Sequence, residues 1–75
     1  MYTLEMAKSD IKEGWLDRFE LERNQKNEWK IILKNENGFS KCLTIARGGD
    51  RTFKTLDAAV KVVEEIGFSV DYLSI

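Results

Sequence analysis

Apolar and polar positions divide this chain into stretches of two different periods. In TLDAAVKVVEEIG, residues 55–67, Leu56, Ala59, Val60, Val63 and Ile66 recur three or four positions apart, while Asp57, Lys61, Glu64 and Glu65 fall off that line. This is the repeat that makes one side of an α-helix apolar. Thr55 stands where an N-cap hydroxyl can accept from an otherwise unpaired backbone N–H. Gly67 stands where a helix commonly ends in a left-handed conformation. Asp57 and Lys61 have the four-residue spacing of a favourable helical ion pair. Upstream the period drops to two, the signature of strands. Phe19 and Leu21 share a face in RFELER (18–23), Trp29, Ile31 and Leu33 in WKIILK (29–34), and Leu43 and Ile45 in KCLTIA (41–46). The polar stretch 24–28 (NQKNE) and the Asn37-Gly38 pair within 35–39 predict hairpin turns between them. Gly48-Gly49-Asp50 reverses the chain toward the helix, and FSVDYLSI (68–75) alternates again as a fourth strand returning to the sheet.

One register reconciles these strands. Phe19 facing Leu33, Leu21 facing Ile31, Ile31 facing Ile45 and Leu33 facing Leu43 would put the large apolar groups on the face that the helix covers. The opposite face would carry Arg18, Glu20, Glu22, Lys30, Ile32, Lys34, Cys42, Thr44 and Ala46, with Glu22 opposite Lys30 as a cross-strand ion pair. Residues 1–14 fit both periods. Tyr2, Leu4 and Met6 alternate like a strand, whereas Leu4, Ala7 and Ile11 fit a short helix that Gly14 would stop. The expected fold is therefore α+β, a three- to four-stranded antiparallel sheet packed on one main helix in the order βββαβ. A single domain spans 1–75, with 1–14 as an N-terminal arm or short helix and 15–75 as the sheet-plus-helix core.

Composition narrows the chemistry. With 43% hydrophobic and 33% charged residues in 75, the chain is an ordinary small globular one. So small a core leaves a thin margin, which makes a homodimer shielding the N-terminal apolar groups or a sheet edge a reasonable expectation. No apolar run approaches the ~18 to 20 residues of a membrane span, and the first residues carry no secretory leader pattern. No membrane association is expected. The lone Cys42 has no disulfide partner within the chain, which favours a cytoplasmic setting. With no histidine and one cysteine, neither a protein-only zinc site nor a nucleophile–base pair is expected, and no cofactor or catalytic residue is assigned.

Charge is unevenly spread within a net of −1. Residues 23–61 hold nine Lys/Arg against four Asp/Glu, and acidic stretches lie on either side. Around the Gly-Gly turn, Arg47, Arg51 and Lys54 would lie near one another, with Lys41 and Lys26 on the same side. Guanidinium groups suit phosphate oxygens, and such contacts supply affinity without reading sequence. Trp29 reads as core with Arg47 against its ring, and Trp15 as an exposed aromatic or dimer contact.

Three strands followed by a helix that opens with RTFKTLDAA (51–59) resemble the DNA-binding domains of plant ethylene-response factors and the arm-binding domains of transposon integrases. The resemblance covers residues 29–67. It implies DNA contact through the open sheet face, although Glu20, Glu22, Ile32, Cys42 and Ala46 occupy the face that is basic in those domains, which tells against groove reading there. Ala46-Arg47-Gly48 and the 51–67 stretch are also similar to small plasmid-borne accessory proteins of partition or replication control. Two functions are carried forward. One is a non-enzymatic regulatory or accessory module that contacts nucleic acid through the basic turn. The other is a protein-interaction module or small inhibitor using its acidic termini, an open sheet edge or the Ile32 neighbourhood.

Overall fold

A computed structural model describes residues 1–70 of the 75-residue chain. These residues form an α+β unit of two helices and an antiparallel sheet: α1 (Leu4–Lys12), β1 (Arg18–Arg23), β2 (Trp29–Lys34), β3 (Ser40–Cys42), β4 (Thr52–Phe53) and α2 (Leu56–Ile66). β2 is central, with β1 on one side and both β3 and β4 on the other.

Asparagine side chains close the two hairpins. Asn24 Oδ1 accepts from the backbone N–H groups of Lys26 and Glu28 at 2.9 and 3.0 Å. Asn27 sits at φ 65°, a left-handed conformation that asparagine tolerates. The resulting β1–β2 register pairs Phe19 with Leu33 and Leu21 with Ile31, as the alternation predicts. In the second hairpin Asn35 Oδ1 accepts from Asn37 and Phe39 N–H at 2.9 and 3.0 Å. That brace closes the turn early, so Lys34 faces Ser40 and Leu33 faces Lys41. Leu43 therefore lies opposite Ile31, to whose carbonyl its N–H donates at 2.8 Å, rather than opposite Leu33.

The third strand also departs from expectation. β3 ends at Cys42, and β4 later takes up the same side of β2, with Lys30 facing Thr52 and Trp29 facing Phe53. Two steps along β2, from Ile32 to Lys30, correspond to ten along the partner line, from Cys42 to Thr52, so eight residues are looped out of it. A Thr44–Asp50 bridge and the Ile45 N–H to Gly49 carbonyl bond of 2.8 Å close this excursion. Gly48 turns its tip at φ 96°, a backbone region that side chains with a Cβ avoid. Ile45, expected inward, is 46% exposed as a result. The described fourth strand thus precedes α2. Of the expected C-terminal strand, 68–70 carry no strand structure, and 71–75 lie outside the described residues.

Ile31, Leu33, Leu43 and Val63 are the largest fully buried side chains. α2 lies across β2 and β4, and α1 lies against α2. Thr55 caps α2 by accepting from Ala58 N–H at 3.1 Å. The helix buries Ala59, Val62, Val63 and Ile66. Val62 belongs to the buried stripe, while Leu56, at the N-terminal end of the helix, is exposed. Residues 4–12 resolve as helix, with Thr3 as N-cap. Leu16 is buried there, and Trp15 stays 44% exposed with its ring edge on Phe39. On the other sheet face Ile32 is only 9% exposed between Glu20 and Cys42. Glu22 does face Lys30, but the close ion pair of this face is Lys34 with Glu20 at 2.9 Å.

Candidate nucleic-acid interface

The residues singled out as basic contacts occupy three places on the sheet. Arg47 sits on the exposed excursion, beside the Gly48 turn. Arg51 is at its base, where its N–H donates to the Leu43 carbonyl at 2.9 Å and its guanidinium lies 5.5 Å from the Phe53 ring centroid. Lys54 is exposed immediately beyond β4. Because Phe53 faces Trp29, Lys54 lies at the end of the sheet where the β1–β2 turn carries Lys26. Lys41 faces Leu33, four residues further along β2 than Trp29, or about 13 Å at ~3.3 Å per strand residue. The fold thus gathers Arg47, Arg51 and Lys54 on one continuous segment and brings Lys26 to its far end. Lys41 is left at the opposite end of the sheet.

The Trp29 partner was misassigned from sequence. Arg23, directly across the hairpin, lies over the Trp29 ring at 4.9 Å. The pairing Arg23 with Trp29 in the β1–β2 register was the signal that could have found it.

Cys42 faces Ile32 on the sheet, and its thiol donates to the Leu43 carbonyl at 3.4 Å. Burial first, then the Asp50 carboxylate, pushes the thiol up to about 11 from an ordinary 9.0. A thiol so held stays protonated at neutral pH and is a poor nucleophile. Among the described residues no group of three or more His, Cys, Asp or Glu side chains is arranged to hold a metal ion, and no helix is long and apolar enough to cross a membrane.

The Cys42 shift carries a stability consequence. Between pH 9.0 and about 11 the unfolded chain has released the thiol proton while the folded chain retains it. Stability is therefore full below pH 9 and falls as pH rises through that window. Tyr2, whose phenol is raised above its ordinary 10.0 by burial and then by Asp10, adds the same sign only from pH 10 upward. Urea midpoints are expected to fall between pH 8.5 and 10, and Cys42→Ala to flatten that fall. An unchanged slope in Cys42→Ala would remove the thiol as its source.

No family model matches the chain, and no curated protein or solved structure matches it either. Function has to be read from the residues alone.

Proposed function

We propose that this protein is a small non-enzymatic regulatory or accessory module that contacts nucleic acid through the basic excursion between β3 and β4. The observation that carries the reading is the looped-out segment itself. It sets Arg47 at an exposed turn, Arg51 at the base and Lys54 just beyond, with Asp50 as the carboxylate among them. A sheet line that interrupts itself forfeits ladder hydrogen bonds, and what it presents in exchange is a cationic edge. Phosphate oxygens fit that edge, because guanidinium groups bind them by paired N–H donors and a lysine by point charge. Contacts of this kind position a nucleic acid without reading its bases.

The test is fluorescence anisotropy of short duplex and single-stranded DNA at low and physiological salt. Binding is expected to weaken steeply with salt. Arg47→Ala with Arg51→Ala is expected to remove most of it and lower the salt slope by about 1.4 to 1.8, the contribution of two phosphate contacts. A double variant that folds and binds like the parent would assign the excursion no such role.

A second reading, a protein-interaction module, is supported by Ile45 rather than by Ile32. Ile45 is 46% exposed and lines a hollow of about 290 Å³ with Leu4, Ala46 and Arg51, whereas Ile32 is nearly covered. Loss of a retained protein partner on Ile45→Asp, with DNA binding unchanged, would favour it.

A further inference from the structure

We propose that Thr52-Phe53 and Thr44-Ile45 are alternative partners for one stretch of β2, and that exchange between them forms or unravels the excursion carrying Arg47. β3 meets β2 in a register that pairs Cys42 with Ile32. Continued along that line, it would set Thr44 against Lys30 and Ile45 against Trp29. β4 puts Thr52 against Lys30 and Phe53 against Trp29. The same places on β2 thus have two claimants, each a threonine followed by a large apolar residue. The claimants lie eight residues apart, and an even offset returns every side chain to the same sheet face. Phe53 fills the inward place at 9% exposure, which leaves Ile45 46% exposed.

The backbone accepts either claimant. Leu43 N–H donates to the Ile31 carbonyl at 2.8 Å, so on this side of β2 the odd-numbered residues turn their polar groups toward the partner line. Trp29, two residues along, offers its groups to Phe53 in the observed pairing and to Ile45 in the other. Thr44 turns its N–H away from β2 in both, so its 2.7 Å bond to the Tyr2 carbonyl survives the exchange. The bonds given up are those of the excursion itself: Ile45 N–H to Gly49, Gly48 N–H to Ile45 and Arg51 N–H to Leu43. Trp29 and Ile31 replace them for Ile45 and Leu43, and water replaces them for the rest. Thr55, the α2 cap, lies just beyond Phe53 at the Trp29 end of the sheet, so residues 46–54 can close as a loop. The larger apolar surface of Phe53 decides for the observed arrangement. A ligand held by Arg47 at the folded turn adds to that preference by as much as it distinguishes the two forms.

The exchange stands whether or not the excursion binds nucleic acid, and its test needs no ligand. Phe53→Ser is followed by urea denaturation and by NMR of the whole chain. Ile45 is expected to take the vacated place, so the variant folds and contacts between Ile45 and the Trp29 ring appear. The Ile45 amide is expected to exchange about tenfold more slowly than in the parent. Ile45→Asp should leave the parent's urea midpoint unchanged and lower that of Phe53→Ser. Gly48→Val should act the other way round. It strains the turn at φ 96° and lowers the parent's midpoint, but spares Phe53→Ser, where position 48 lies in an open loop. A Phe53→Ser chain that fails to fold, or that folds with Ile45 as fast to exchange as in the parent, would overturn the proposal. So would a Phe53→Ser chain that tolerates Ile45→Asp, or that loses as much as the parent from Gly48→Val.

Discussion

Leu33→Ala is expected to lower stability by about 2 to 5 kcal/mol, the range for emptying a buried leucine position. A 75-residue domain holds only about 4 to 11 kcal/mol in total. The variant should therefore melt at least about 10 °C below the parent. Leu33 is fully buried on the central strand, facing Phe19 on β1, and belongs to the cluster that α2 closes with Ala59, Val62, Val63 and Ile66. Its neighbours are fixed by strand register on one side and helix packing on the other, so they can relax little into the void. Ile32→Ala provides the control one residue away. Ile32 is nearly as covered, but it faces Glu20 and Cys42 on the far side of the sheet and lies outside that cluster. Space lost there is refilled by water and long side chains, so the loss should be clearly smaller. Equal losses for the two, measured by urea denaturation with circular dichroism, would contradict the assignment of faces.

That contrast marks how far the pattern of the chain reaches. The alternation of 18–23 and 29–34 matches the β1–β2 register because Asn24 closes the five-residue turn 24–28 at its full length, which selects one of the registers that share a buried face. Val63 falls inside, as the capped amphipathic α2 requires, and so does Phe53 on β4. The β2–β3 register was not legible from alternation, because a shift by two residues keeps every side chain on its face. What decides it is Asn35, whose side chain accepts twice within the turn. Leu43 and Ile45 likewise share a strand parity, yet one is fully buried and the other 46% exposed. Nothing in KCLTIA says that the line breaks after Cys42; the break follows from Phe53 pairing with Trp29, which draws the downstream chain back onto β2. The candidate contacts suffered from the same cause. Arg47, Arg51 and Lys54 share one segment because they are close in sequence, whereas the placement of Lys26 and Lys41 depends on strand ends that alternation leaves open.

Tyr2→Ala is expected to cost about 3 to 5 kcal/mol and to release the N-terminal helix, although Tyr2 is only the second residue. The two periods of residues 1–14 are resolved by contacts far away in sequence. Tyr2 N–H donates to Thr44 Oγ1 at 2.8 Å, and Thr44 N–H donates to the Tyr2 carbonyl at 2.7 Å, so the chain start is bonded to the base of the excursion. The Tyr2 ring packs edge-on against Phe39 at 5.5 Å, and its hydroxyl donates to Asp10 Oδ2 at 2.5 Å, one helical face along α1. The side chain is 5% exposed. Tyr2→Phe separates these contributions. It keeps the ring and the backbone bonds and removes only the hydrogen bond to a carboxylate, worth about 1.5 to 3 kcal/mol. The alanine variant should lose amide protection throughout α1 and perturb the Trp15 environment through Phe39, which both rings touch. The phenylalanine variant should keep that protection while its stability above pH 10 falls less steeply than the parent's, since the proton retained by the folded phenol is no longer at stake. If alanine costs no more than phenylalanine, the hydroxyl alone secures the arm, and the buried ring contributes nothing to holding α1 against α2.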